Sequence, residues 1–375
     1  MKHLFYILFI SIVSMFSCQQ PSSQEEVKLT DEQLHALADS LAHAFIIFDG
    51  HVDIPYRMQH HPEDISVRTE NGHFDFVRGK EGGLDAPMMS IYIPSDREDN
   101  GAKVLADSLI DLVENLTVQH PDKFAIATSP TQIKEQFSKG LISLPMGMEN
   151  GSPIEHNIAN VKYFYDRGIR YITLTHAKAN HICDSSYDTT RLWNGLSEFG
   201  EEVVAEMNRV GIMVDISHVT DSTFYDVLKL SNVPVIASHS SCRHFTPGME
   251  RNMSNEMIKA LADNGGVIHI NFGSYFLDAR YFEETADSTT FTTAAQIADN
   301  IDKVVEVAGI DYVAFGSDFD GVDELPIDVK DASQVPNVIY ELLKRDYSAE
   351  DIEKICYKNS FRVWQQVEDY SLAQK

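Results

Sequence analysis

Eight short apolar, β-branched runs recur along this 375-residue chain, and between most of them lie stretches with apolar residues three or four apart. The runs are FIIFD (45–49), MMSIYI (88–93), LISLPMGM (141–148), RYITLTH (170–176), GIMVDISH (211–218), PVIASH (234–239), GVIHINF (266–272) and YVAFGSDF (312–319), each of strand length. The intervening NIANVKYFYDRG, EEVVAEMNRVG, TDSTFYDVLKLS, SNEMIKALADNGG and AAQIADNIDKVVEVAG read as helices, and most close near a glycine, the usual helix stop. Strands alternating with helices predict a parallel sheet buried on both faces. Eight such units predict closure into a (β/α)8 TIM-type barrel rather than an open doubly wound sheet.

A chain with 43% apolar content can bury a large core, and one barrel with loop insertions over residues 41–375 accounts for its length. The 57 acidic residues against 30 basic ones leave a formal charge of −27, which repels phosphate backbones and so excludes nucleic acid as a partner. The amino terminus is built differently. Lys2 and His3 lead into the apolar run Leu4–Val13, too short to span a bilayer, followed by small residues and Cys18; this is the build of an export signal over residues 1–17. MFSC followed by Gln19 and Gln20 resembles a bacterial lipoprotein signal, with Cys18 as the lipid-modified first residue. That places the protein in the cell envelope, anchored to a membrane. Residues 18–40 then read as a polar tether and lead-in. Cys183, Cys242 and Cys356 form no regular disulfide pattern, and Cys183 reads as a loop thiol.

In a parallel barrel the carboxyl ends of the strands share one rim, so residues distant in sequence converge there. Potential metal ligands stand at those ends: His51 and Asp53 after FIIFDG, Glu149 after ISLPMGM, His218 after IMVDIS and His239 after PVIAS. His51 and Asp53, two apart, face the same side of an extended strand, and Pro55 closes that strand. Glu149 sits in GMENG, whose glycines permit close backbone approach, and its two oxygens can bridge paired cations. His60, His61, His156, His181, His244 and His269 have no such partners and read as structural. Tyr275, after the seventh run, is a candidate wall of the pocket, and the acidic loop 274–293 a candidate lid or subunit contact.

FDGHVDIPYR, GMENG, RYITLTH, GLSEFGEEVVAEMNRVGIMVDISHV, PVIASHSSCRHFTPGMERNMSNEMIKALADNGGVIHINF and GSDFDGV, in this order from about Phe45 to Val363, resemble the motifs of the membrane dipeptidase (renal dipeptidase) family of zinc metallopeptidases. The resemblance implies two Zn2+ ions, His51 and Asp53 on one, His218 and His239 on the other, bridged by Glu149 and a water or hydroxide. It implies that His176 contacts substrate and stabilises developing charge, that Arg251 holds the terminal carboxylate, and that Asp318 is the catalytic aspartate. The substrates implied are free dipeptides, including those with a carboxyl-side D-residue, and the assembly a homodimer. Departures are visible: Gly-Gly-His after the bridging acid becomes Asn150, Gly151 and Ser152, and Met249 and Glu250 precede the arginine. Two alternatives stay open at this level, another barrel amidohydrolase such as a deacetylase or lactonase, and a lipoprotein that binds zinc or peptide without catalysis.

Overall fold

The computed structural model describes residues 29–282 and 291–374. Residues 1–17, read from sequence as an export signal, Cys18 and part of the loop 274–293 lie outside those residues. Among the described residues no helix is long and apolar enough to cross a membrane.

The eight expected strands form and close into a ring. They are β1 (Ile47–Val52), β2 (Leu84–Tyr92), β5 (Met146–Glu149), β6 (Ile169–Thr173), β7 (Met213–Asp215), β8 (Ile236–Ser240), β9 (Val267–Ile270) and β10 (Val313–Phe315), all parallel, in the cyclic order β1-β10-β9-β8-β7-β6-β5-β2. Each is almost wholly buried, because helices cover one face and barrel-filling side chains the other. Between the later strands run the helices Ala159–Asp166, Glu198–Val210, Asp221–Leu230, Asn255–Asp263 and Ala294–Ala308. Four of the five start at a Ser or Thr whose hydroxyl accepts a backbone N–H of the first turn: Ser197, Thr220, Ser254 and Thr293, the usual way to satisfy those donors. Helix Glu198–Val210 turns Val203, Val204, Met207 and Val210 inward, one stripe of a 3.6-residue period.

Three features add to or correct the sequence reading. Pro145 cannot donate to a ladder, and it splits the run 141–148. Ile142–Leu144 (β4) pairs instead with Phe124–Ile126 (β3) in a separate two-stranded sheet, and only Met146–Glu149 joins the barrel. The lead-in to the barrel is helical, since Asp31–Ala44 is a helix with Thr30 in a capping box and Ala38 and Ala42 buried. Cys183 is fully buried, as are Cys242 and Cys356, so it is a packed side chain and not an accessible loop thiol. At the amino-terminal end of the barrel the carboxyl-terminal helix Asn359–Ala373 packs Phe361 and Trp364 against Phe48, which closes the floor and leaves the opposite rim open.

Candidate metal centre

Glu149 ends β5 in the middle of the predicted ligands, and its two oxygens face different partners. Oε1 lies 3.0 Å from His218 Nε2 and 3.3 Å from His239 Nε2. Oε2 lies 3.5 Å from His51 Nε2, which is 3.3 Å from Asp53 Oδ2. Ligands about 2.0–2.2 Å from one tetrahedral ion stand roughly 3.3–3.6 Å apart, so the His51, Asp53 and Glu149 group has the spacing of a cation's ligand shell, and the His218, His239 and Glu149 group is somewhat tighter. All five side chains are buried. Asp53 reaches the site from a different backbone than expected: β1 ends at Val52, and Asp53 caps the helix Ile54–His60.

Three of these side chains carry an atom that lacks what buried polar atoms ordinarily have. His51 Nε2, Asp53 Oδ1 and His218 Nδ1 have no hydrogen-bond partner, and the Nε2 atoms of His218 and His239 stand 2.8 Å apart. Unpaired buried polar groups cost about 1–3 kcal/mol each; cations among them would remove that cost. Burial lowers the pKa of both His218 and His239 well below the usual value, with the Arg251 charge adding to it, so both rings are neutral as ligands must be. Burial alone would lower His51 too, but Tyr171 and the carboxylates of Glu149 and Asp53 outweigh it. The proton they favour stands where a divalent cation would. Glu149 would be raised by burial, yet His51, His176, His218 and His239 hold it well below the usual range.

Outer contacts aim these rings, and sequence reasoning missed them. Asp215, in the middle of the IMVDIS run, accepts the Ser238 hydroxyl at 2.6 Å and the Thr173 hydroxyl at 2.5 Å. Ser238 Oγ lies 2.7 Å from His239 Nδ1. With its one hydrogen given to Asp215, Ser238 must accept from Nδ1–H, which leaves the lone pair on Nε2 facing Glu149. On the other side, Tyr171 OH holds His51 Nδ1 at 2.6 Å. Gly147 makes this reach possible, because a Cβ there would stand 2.2 Å from the Tyr171 ring. Only a carboxylate within an apolar strand signalled Asp215, and nothing in the sequence paired Tyr171 with His51.

The remaining predicted residues are brought to the same place with different postures. His176 Nε2 is 3.7 Å from Glu149 Oε1, and its ring packs 4.3 Å from that of His218; burial lowers its pKa. Asp318 accepts from Asn271 Nδ2 at 2.8 Å and shares a potential cation shell with His51 and Asp53. Burial, with the charges of Asp53 and Glu149, raises it to about 7. Asp320 is turned away, paired with Arg57 Nε at 3.1 Å and accepting from the His73 backbone N–H at 2.6 Å, so the structure separates two acids that the motif leaves adjacent. His218 and Asp318 have φ of 70° and 62°, backbone strain of the kind concentrated at functional sites, on the order of 1–3 kcal/mol each. Gly321 leaves room for the carboxylates of Asp53 and Asp318, since a Cβ would meet Asp53 Oδ2 at 2.1 Å and Asp318 Oδ1 at 2.2 Å.

Arg251 is present but buried. Its Nη1 donates to Ser240 Oγ at 2.7 Å and its Nη2 to the His239 carbonyl at 2.7 Å, while Nε has no partner. It lies beside the cleft and is not one of its lining residues. The cleft itself holds about 410 Å³, with Glu149, His176, His218, His239 and Asp318 at its base and Tyr56, Tyr92, Tyr187, Tyr275 and Phe276 as walls. Tyr275 was expected there; the other aromatic walls were not. Asn150, the departure after Glu149, adopts φ 76° and uses its whole amide. It donates to Ile93 O and Glu98 Oε1 and accepts from Ser152 N and Asn180 Nδ2.

Comparison with known proteins agrees with this arrangement. Residues 35–375 match the family Membrane dipeptidase (Peptidase family M19). A dipeptidase of Aspergillus terreus, ataJ, is 31% identical over 364 residues, covering 88% of this chain and 86% of its own. Among solved structures, the probable dipeptidase PvdM of Pseudomonas aeruginosa superposes with a TM-score of 0.82 at 22% identity, over 90% of this chain and 99% of its own. A metallopeptidase of Rhodobacter sphaeroides, bound to a phosphinate mimic of the dipeptide L-Ala-D-Ala, gives 0.77 at 23% identity, over 86% and 99%. The family match over nearly the whole chain implies a metal-dependent site, and the ligand clusters fit one. This chain belongs to the membrane dipeptidase family, peptidase family M19.

Proposed function

We propose that this protein is a two-zinc dipeptidase that hydrolyses free dipeptides, those with a carboxyl-side D-residue included. The observation that carries the reading is the double-faced Glu149, with an imidazole–carboxylate pair on one oxygen and two imidazoles on the other. Mixed nitrogen and carboxylate donors suit zinc. Bound between these groups, two such ions would lower the pKa of a shared water toward neutrality and polarise the scissile carbonyl.

The chain's own residues supply the rest. Asp318 overlooks His51 and Asp53, with one oxygen fixed by Asn271, and is placed to take the proton from attacking water and return it to the leaving amine. Neutral His176, on the cleft wall, is placed to donate to the developing oxyanion. Arg251, held beside the cleft next to His218 and His239, is our candidate for the substrate carboxylate, a planar group that a guanidinium fork matches. The relative crystallised with an L-Ala-D-Ala mimic supports the D-residue. We also infer export and a lipid anchor at Cys18, on the strength of the amino-terminal pattern, and a homodimer by family analogy.

The test is a panel of L,L and L,D dipeptides offered to the zinc-loaded protein, with and without chelator. Turnover that chelation abolishes and zinc restores is expected. A zinc-loaded, folded protein that cleaves none of them contradicts the reading.

A further inference from the structure

Arginines in folded chains seldom lack partners, because a guanidinium carries five donors and a charge. Here every arginine of the described chain except Arg97 has a side-chain hydrogen bond or an ion pair. Arg97 has neither, although its Nε is buried from solvent. It stands in the short turn Ser95–Arg97 that follows β2 and lines an open recess of about 310 Å³ together with Gln59, His60 and Asp96.

The recess is not isolated. Tyr56 lines both it and the catalytic cleft, with its ring edge-on to Tyr92 at 4.9 Å and 4.3 Å from the ring of His60. His60 has Nδ1 engaged by the Tyr56 carbonyl, so Nε2 remains for a second contact. In the eight-strand ring β2 lies diametrically opposite β8, and β8 carries the groups that hold Arg251. A dipeptide with its terminal carboxylate toward Arg251 therefore extends its amino-terminal residue across the site toward Tyr56 and the recess.

We propose that this recess is the subsite for the side chain of the amino-terminal residue, and that Arg97 selects there for a carboxylate, above all that of glutamate. The inference rests on the dipeptidase reading. The floor of the cleft is acidic, with Asp53, Glu149 and Asp318, so an acidic side chain is accepted only where a cation offsets that field. Arg97 is the cation placed to do so, and exposed Asp96 beside it reduces the gain without cancelling a direct bond.

The experiment compares kcat/KM for Glu-Ala, Gln-Ala and Ala-Ala on zinc-loaded wild type, Arg97→Gln and Arg97→Lys. Wild type is expected to favour Glu-Ala over its isostere Gln-Ala by about tenfold, the scale of one charge-assisted bond. Arg97→Gln should bring that ratio close to unity, chiefly through KM, and Arg97→Lys should keep part of it. Equal use of the two substrates by wild type, or a preference that survives Arg97→Gln, overturns the subsite and leaves the dipeptidase standing. Failure to cleave any of the three overturns both.

Discussion

At the floor of the barrel His269 has Nδ1 2.9 Å from the Ala237 carbonyl and Nε2 2.9 Å from the Ser360 hydroxyl. At the rim His218 and His239 turn their Nε2 atoms to within 2.8 Å of each other and toward the same oxygen of Glu149, with Arg251 Nη2 a further 3.1 Å from that of His218. All three rings are buried in the same barrel, and burial holds all three below the usual imidazole pKa, His269 at about 4. Burial thus does not mark a functional histidine. What marks it is convergence: the rim crowds two imidazole nitrogens against one carboxylate oxygen, whereas the floor gives each ring nitrogen a separate partner of its own.

That contrast can be broken by mutation at either end. Glu149→Gln removes the charge that both rim groups share, and activity should fall by at least about 10³-fold with less than a full complement of metal retained, read by turnover and elemental analysis. Asp318→Asn should lower kcat by roughly 10²–10⁴-fold, the range of general acid–base contributions, while metal content stays at the wild-type level; loss of metal would make Asp318 a ligand instead. Asp215→Asn disturbs the proton arrangement behind His239, together with the Thr173 hydroxyl bond, and should weaken metal binding about 10–100-fold in a chelator competition. Unchanged affinity would show that the Asp215–Ser238 pair does not orient the ring. His269→Gln, at the floor, should leave metal content unaltered and cost on the order of 1–3 kcal/mol of stability, seen as a lower Tm. If it also releases metal, the two ends are not independent.

The strands are legible in the sequence because a barrel strand, covered on both faces, must be apolar nearly throughout. The ligands are legible because polar groups at the ends of such runs stand out. What escapes the sequence is pairing across the sheet: that Asp215 serves Ser238, that Tyr171 crosses over Gly147 to His51, and that Asp320 faces Arg57 rather than the site. These depend on register and chain path, which no local pattern carries. Pro145 hid a strand break for a similar reason, since a proline at a run's centre is readable only once its neighbour's ladder is known. Arg97 shows no signal at all in sequence; its interest lies in contacts it does not make.

The central claim is that Glu149 stands between two cations. Anomalous diffraction at the zinc edge from crystals of zinc-loaded protein tests it most directly. The account predicts two peaks about 3.5–4 Å apart, one bonded to His51 and Asp53, the other to His218 and His239, with Glu149 touching both. A single peak, or zinc bound away from Glu149, would contradict it.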